Sequence, residues 1–289
     1  MSTLAFLLTQ TVNALSQAAL LFFLGVGLTL IFGIMRIVNF AHGALYMLGA
    51  YFGVFLLGLT KNFWLSLVVA PLMVFVLGLA IERVLVRPLY GRSIDDPLLL
   101  TFGLSLVVVE AVRIVWGKIG LTIDPPRALS GALDLGFMTF PLYRFFVIAV
   151  TMLVLVGLWL FLERTNVGLI IRAGSRDPLM VRALGLDLGR VWLLVFGIGA
   201  GLAGLAGVVG GTALSISPGE DTRYLLASLV VVIVGGMGSV VGASIGALLI
   251  GLAEQFGLAY APTYSVVFTF VIMVVALAFR PRGLMGRGA

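Results

Sequence analysis

Polar positions divide this chain into long apolar runs, and the runs fall into the lengths of membrane-spanning helices. About 20 apolar residues cross the hydrocarbon core of a bilayer as a helix. The pattern predicts crossings at about Val12–Met35, Gly43–Thr60, Phe63–Ile81, from after Asp96-Pro97 to near Trp116, Phe140–Leu162 and Val191–Thr212. A short apolar segment follows, Tyr224–Val234, then Val240–Leu258 and Thr263–Phe279. The expected fold is an all-α polytopic membrane protein of about eight to nine transmembrane segments, a single transmembrane domain over 1–289.

Two runs are interrupted rather than ended. One interruption is Gly33-Ile34-Met35-Arg36-Ile37-Val38-Asn39-Phe40-Ala41-His42-Gly43; the other is Gly235-Gly236-Met237-Gly238-Ser239, continuing to Gly242. Unpaired backbone is not tolerated in lipid, so such breaks are either buried in protein, where they line a cavity, or are turns at the interface. On the first reading Asn39, His42, Gly43, Gly235, Gly236 and Ser239 are candidates for lining a pathway, because polar groups at depth face protein or water. On the other, Asn39 caps a helix restart and His42 is a packing residue.

Composition agrees. The chain is 61% hydrophobic and 10% charged, with mean hydropathy +1.21, far from the near-quarter charged content of soluble domains. Its 37 glycines suit close helix packing, and Gly201, Gly204 and Gly207 beside Ala200, Ala203 and Ala206 read as one such small-residue face. There are no cysteines and one histidine, so disulfides and Cys- or multi-His metal sites are excluded and no cofactor is expected. The segment Met1–Gln10 lacks the basic region of a cleavable signal peptide.

The net charge of +6 lies in short loops, which the positive-inside bias explains better than nucleic-acid binding. Arg83, Arg87 and Arg92; Arg164, Arg172, Arg176, Arg182 and Arg190; and Arg280, Arg282 and Arg287 fall on one side with Arg36 if the N-terminus is outside and the C-terminus cytoplasmic. The opposite side holds Lys61, Arg113, Lys118, Arg127, Arg144 and Arg223. That orientation needs an odd number of crossings, so Tyr224–Val234 must count as a crossing or a re-entrant leg. Glu110 and Arg113, three apart on a helix, read as a local ion pair near the outer interface. Glu254 has no partner legible in the sequence beyond an arginine of another subunit.

The loop Glu163–Arg190 holds a short helix with both end signals. Asp177 is the N-cap, Pro178 the first helical residue, and Gly185 the left-handed stop. Leu179, Met180, Ala183 and Leu184 give it an apolar stripe. So short a helix needs a partner surface. Two partners suit it: a groove of an ATPase subunit, with Arg172, Arg176 and Arg182 nearby, or lipid headgroups, with those arginines on phosphates. The chain has no Gly-x-x-x-x-Gly-Lys-Ser/Thr phosphate loop and no cluster of groups for enzyme chemistry.

The sequence resembles the permease subunits of branched-chain amino-acid ABC importers, the LivH type. The resemblance is carried by Gly27–Ala44, Arg87-Pro88-Leu89, Thr101-Phe102-Gly103-Leu104-Ser105, Gly168–Arg190, Val231–Gly251 and Phe279-Arg280-Pro281-Arg282-Gly283-Leu284, and covers nearly the whole chain. It implies a fold like that of the ribose and vitamin B12 importers, in the bacterial inner membrane. It implies a second homologous permease subunit, two ATP-binding subunits and a periplasmic substrate-binding protein docking on the outer loops 117–141 and 217–223. It favours the ATPase-coupling reading of Asp177–Gly185. Relatives of this type carry branched-chain amino acids, but also amides, urea or aromatic acids. An ion-coupled secondary transporter is the alternative from another class; it would need buried carboxylates, of which only Glu110 and Glu254 are plausible.

Overall fold

The computed structural model describes residues 3–93, 95–134, 136, 139–213 and 215–286, apart from the side chains of 265 and 266. Arg287, grouped above with the C-terminal basic residues, lies outside them. The membrane helices are α1 (Thr3–Met35), α2 (His42–Thr60), α3 (Phe63–Ile81), α4 (Asp95–Trp116) and α5 (Leu142–Arg164). Two short helices follow, α6 (Asn166–Arg176) and α7 (Pro178–Ala183), then α8 (Leu188–Ala213), α9 (Asp221–Gly235), α10 (Val240–Tyr260) and α11 (Ser265–Phe279). Among the described residues seven helices are long and apolar enough to cross a membrane; α9 and α11, at 15 residues each, are shorter. A hairpin of β1 (Ala132–Asp134) and β2 (Thr139–Pro141) decorates the loop before α5, a feature the apolar pattern does not signal.

Helices α1, α2, α8 and α9 form the centre, and α3, α4, α5 and α11 carry much exposed apolar surface. That surface suits lipid or another membrane helix. The small-residue face of α8 performs the expected packing. A Cβ on Gly201 would touch Phe75, one on Gly204 would meet Val74, and one on Gly207 would stand 2.0 Å from the Tyr46 carbonyl oxygen. Such approach between backbones replaces the hydrophobic drive that lipid cannot provide.

Loops gather at two ends. At one end Gly33 meets Gly238, Arg87 reaches Gly189, and Leu284 and Met285 donate backbone hydrogen bonds to Val234 and Gly235, each at 2.9 Å. The three arginine-rich segments share this end. At the other, Leu121 pairs with Ile216 and the Ile123 amide donates to Gly211 at 2.9 Å. The Arg113–Glu110 ion pair, at 2.5 Å, sits near that second end, as expected of it.

Candidate pathway elements and docking helix

The first interruption is an irregular segment that returns the chain to mid-depth. α1 ends at Met35, and Arg36 turns the chain with φ 54°. Residues 36–39 have no regular secondary structure, and α2 restarts at His42. The His42 Nε2 lies 2.9 Å from the Leu24 carbonyl oxygen. Leu24 stands about three helical turns before the end of α1, so His42 sits about 16 Å inward from that end, near the middle of a hydrocarbon core of about 30 Å.

The amides of residues 40–42 are all satisfied by protein. The Phe40 amide donates to Thr101 Oγ1 at 3.1 Å, the Ala41 amide to Asn39 Oδ1 at 3.1 Å, and the His42 amide to the Asn39 carbonyl at 3.2 Å. Asn39 therefore holds the turn, and Thr101, from the Thr101–Ser105 motif, ties it to α4. Asn39, His42 and Thr101 are all fully buried. Among the described residues Asn39 Nδ2 and His42 Nδ1 have no hydrogen-bond partner. Gly43 lies against the first turn of α9, where a Cβ would meet the Asp221 carbonyl oxygen.

The second interruption is a tight turn between α9 and α10. Gly236 takes φ 103°, closed to most side chains, and Gly235 is buried. Ser239 caps α10, its hydroxyl accepting from the Gly242 amide at 3.0 Å. The C-terminal segment closes α9 from below through the Leu284 and Met285 amides, which accounts locally for the Arg280–Leu284 motif. Ser239 also faces a cavity of about 320 Å³. Its walls include Gly33, Trp159 and Arg172, and Arg172 pairs with Glu163 there. The pathway candidates thus lie in two places: Asn39, His42 and Gly43 at mid-depth, and Gly235, Gly236 and Ser239 at the arginine-rich end.

The short helix forms as its end signals predict. Asp177 Oδ1 accepts from the Met180 amide at 2.9 Å, and Pro178 opens α7. Gly185, at φ 76°, ends it with paired backbone bonds from Gly185 to Arg182 and from Leu186 to Val181, a Schellman closure. Val181 is buried and anchors the helix, while Leu179, Met180 and Leu184 are 76%, 57% and 67% exposed. The stripe expected from the sequence lacks Val181, because periodicity over so few residues does not fix which apolar position faces inward. Ala183, Arg176 and Arg182 are exposed as well.

A further chain of contacts joins α7 to the bundle. The Arg182 guanidinium lies 5.7 Å from the Trp192 ring centroid. Trp192 stacks edge-on against Tyr90, with centroids 4.7 Å apart. The Tyr90 hydroxyl donates to Glu82 Oε1 at 2.6 Å. Burial, reinforced by Glu82, pushes the Tyr90 hydroxyl well above its usual range, so it remains a donor. Glu82 and Tyr90 escaped sequence reasoning; a carboxylate at the end of an apolar run was the available signal. α6 escaped too, although its apolar and polar positions separate clearly by face.

Among the described residues no cluster of His, Cys, Asp or Glu could hold a metal. The fold and these elements define a polytopic helical membrane protein built on interrupted helices. Residues 10–277 match the family model described as the branched-chain amino acid transport system, permease component, and the chain belongs to that family. It is 32% identical to the high-affinity branched-chain amino acid transport system permease protein BraD of Pseudomonas aeruginosa, over 97% of this chain and 96% of BraD. It is 28% identical to the corresponding LivH of Escherichia coli K12, over 98% of this chain and 96% of LivH. It is 27% identical to that organism's LivM, over 95% of this chain and 70% of LivM. These relatives are transport permeases.

Proposed function

We propose that this chain is the permease subunit of an ATP-driven importer for branched-chain amino acids. It forms half of a translocation pathway, with a second homologous permease subunit supplying the rest. Similarity to both LivH and LivM, two permease proteins of one organism, supports such a pair. Two ATP-binding subunits hydrolyse ATP, and a periplasmic binding protein delivers substrate to loop 117–141 and to the part of loop 217–223 that precedes Asp221, which itself lies at mid-depth against Gly43. The arginine-rich end faces the cytoplasm of a bacterial inner membrane and the N-terminus faces outward, in line with the positive-inside bias.

The observation that carries this reading is α7. It presents Leu179, Met180 and Leu184 outward from a six-residue helix. An apolar face of that kind, on a helix too short to persist alone, needs a protein groove. The arginines Arg172, Arg176 and Arg182 flank it. Motion imposed on α7 has a packed route inward through Trp192 and Tyr90 to Glu82. Within the bundle, the orphaned polar atoms of Asn39 and His42 favour a pathway beside the first interruption. Leaving buried polar groups unpaired costs about 1–3 kcal/mol each, and function is one reason to retain them.

The test is ATP-dependent uptake into proteoliposomes holding the assembled importer, with leucine, acetamide, urea and benzoate offered in turn. Leucine uptake that requires ATP and is lost on deletion of Arg176–Leu184, together with the ATPase subunits, supports the proposal. Uptake driven by an ion gradient in this chain alone overturns it. So does co-purification of ATPase subunits at the wild-type level after the deletion.

A further inference from the structure

A second cavity lies between α1, α2, α8, α9 and α10, apart from the one beside Ser239. Leu20 and Leu24 form its apolar wall, Tyr46 and Gln17 its neutral polar wall, and Arg223 and Glu254 bring one charge of each sign. Tyr46 stands one turn outward from His42 on α2, and its ring packs against Tyr224 with centroids 4.3 Å apart. Glu254 lies about 21 Å along α10 from Val240. The cavity therefore occupies the outer half of the hydrocarbon depth, and the restart of α2 at His42 puts Tyr46 into its wall.

The two charges share the cavity without meeting. Glu254 is held by neutral donors: Gln17 Nε2 donates to its Oε2 at 3.0 Å and Thr269 Oγ1 to its Oε1 at 3.4 Å. Among the described residues Arg223 has no ion-pair partner. Its side chain is exposed. A guanidinium within the hydrocarbon depth is disfavoured against lipid, so its exposed side faces the pathway or the second permease subunit. A cation and an anion held apart beside leucine side chains match an aliphatic amino-acid zwitterion.

We propose that this cavity is a binding site for such a zwitterion in the outer half of the pathway. Arg223 receives the α-carboxylate, Glu254 the α-ammonium group, and Leu20 and Leu24 the aliphatic side chain. Gln17 and Thr269 act as positioning residues by fixing the Glu254 carboxylate. The site rests on the reading of the chain as an amino-acid permease and gives that reading a place where substrate chemistry is met inside the membrane.

The test is equilibrium binding of radiolabelled leucine to the assembled importer without its binding protein. Competitors are leucinamide, which lacks the carboxylate, and 4-methylpentanoate, which lacks the ammonium group. Wild type should prefer leucine to each analogue by about tenfold, the scale of one charge-assisted hydrogen bond. Arg223→Gln should weaken leucine to the level of leucinamide and leave leucinamide unchanged. Glu254→Gln should weaken leucine to the level of 4-methylpentanoate. Arg223→Lys and Glu254→Asp should keep most of the preference, which separates loss of charge from loss of folding.

Unchanged discrimination in both neutral variants overturns the site, as does the absence of leucine binding by wild type at millimolar concentration. Recovery of wild-type leucine binding in the double variant R223Q/E254Q also overturns it, because it marks a structural charge pair. ATP-driven leucine uptake by the same wild-type preparation, supplied with its binding protein, separates the two readings. Uptake with unaltered discrimination sinks the site alone, and absence of uptake sinks the transport reading with it.

Discussion

Gly43 and Asp221 bring the first turns of two helices into backbone contact: a Cβ on residue 43 would stand 2.0 Å from the Asp221 carbonyl oxygen. The neighbour is main chain, so no rotamer change relieves the clash. Gly43→Ala should destabilise the protein by about 1–3 kcal/mol, the cost of overpacking, and lower uptake. Gly58, on the same helix, has nothing within 4 Å of the position a Cβ would take, so Gly58→Ala should be neutral or stabilising by up to about 1 kcal/mol. Thermal unfolding of the detergent-purified protein compares the pair; equal shifts would refute the contact.

His42 should matter for stability as well as for its place beside the candidate pathway. Its Nε2 satisfies the Leu24 carbonyl inside the bundle. His42→Ala should cost about 1–3 kcal/mol from the lost hydrogen bond and the emptied space of a fully buried ring. Thr101→Val, which removes the acceptor for the Phe40 amide, should cost a similar amount. Melting temperatures within error of wild type for both variants would contradict the tied-down restart.

Substitutions in α7 separate folding from the proposed coupling. Asp177→Ala removes the cap and should destabilise α7 locally by about 1 kcal/mol, seen as faster amide exchange over 178–184. Leu179→Ser with Leu184→Ser should leave the isolated subunit within about 0.5 kcal/mol of wild type, since both side chains are exposed and surface changes are small. The same pair should reduce recovery of ATPase subunits. Full recovery would argue that the face meets lipid headgroups instead.

The C-terminal segment should act as a cap for α9. Leu284 and Met285 satisfy the carbonyls of Val234 and Gly235. Truncation after Phe279 leaves both without those donors, at about 1–3 kcal/mol each where buried. Proteolysis in 235–239 should accelerate, with cleavage elsewhere unchanged. An unaltered cleavage pattern would rule out the capping role.

Local chemistry was legible because it needs only neighbours in sequence. Asp177, Pro178 and Gly185 specified both ends of α7, and the apolar run lengths specified the membrane helices. The glycine triplet of α8 announced close packing, though not against which helix. The run Gly33–Gly43 announced a break whose two alternatives, cap and pathway, both involve Asn39. Its side-chain oxygen accepts from the Ala41 amide, and its amide nitrogen has no partner among the described residues.

By itself the sequence determined that this chain lives in a membrane, where its helices run, which loops carry the positive charge, and how α7 starts and stops. Those properties follow from transfer free energy and from hydrogen bonds between near neighbours. Only the tertiary structure decided that Val181 faces inward, that Tyr90 reaches Glu82, and that Arg223 and Glu254 share one cavity. Residues 223 and 254 lie on different helices, and helix register alone decides whether such side chains meet. Packing sets that register through contacts such as Gly43 with Asp221, which no periodicity along one chain segment encodes.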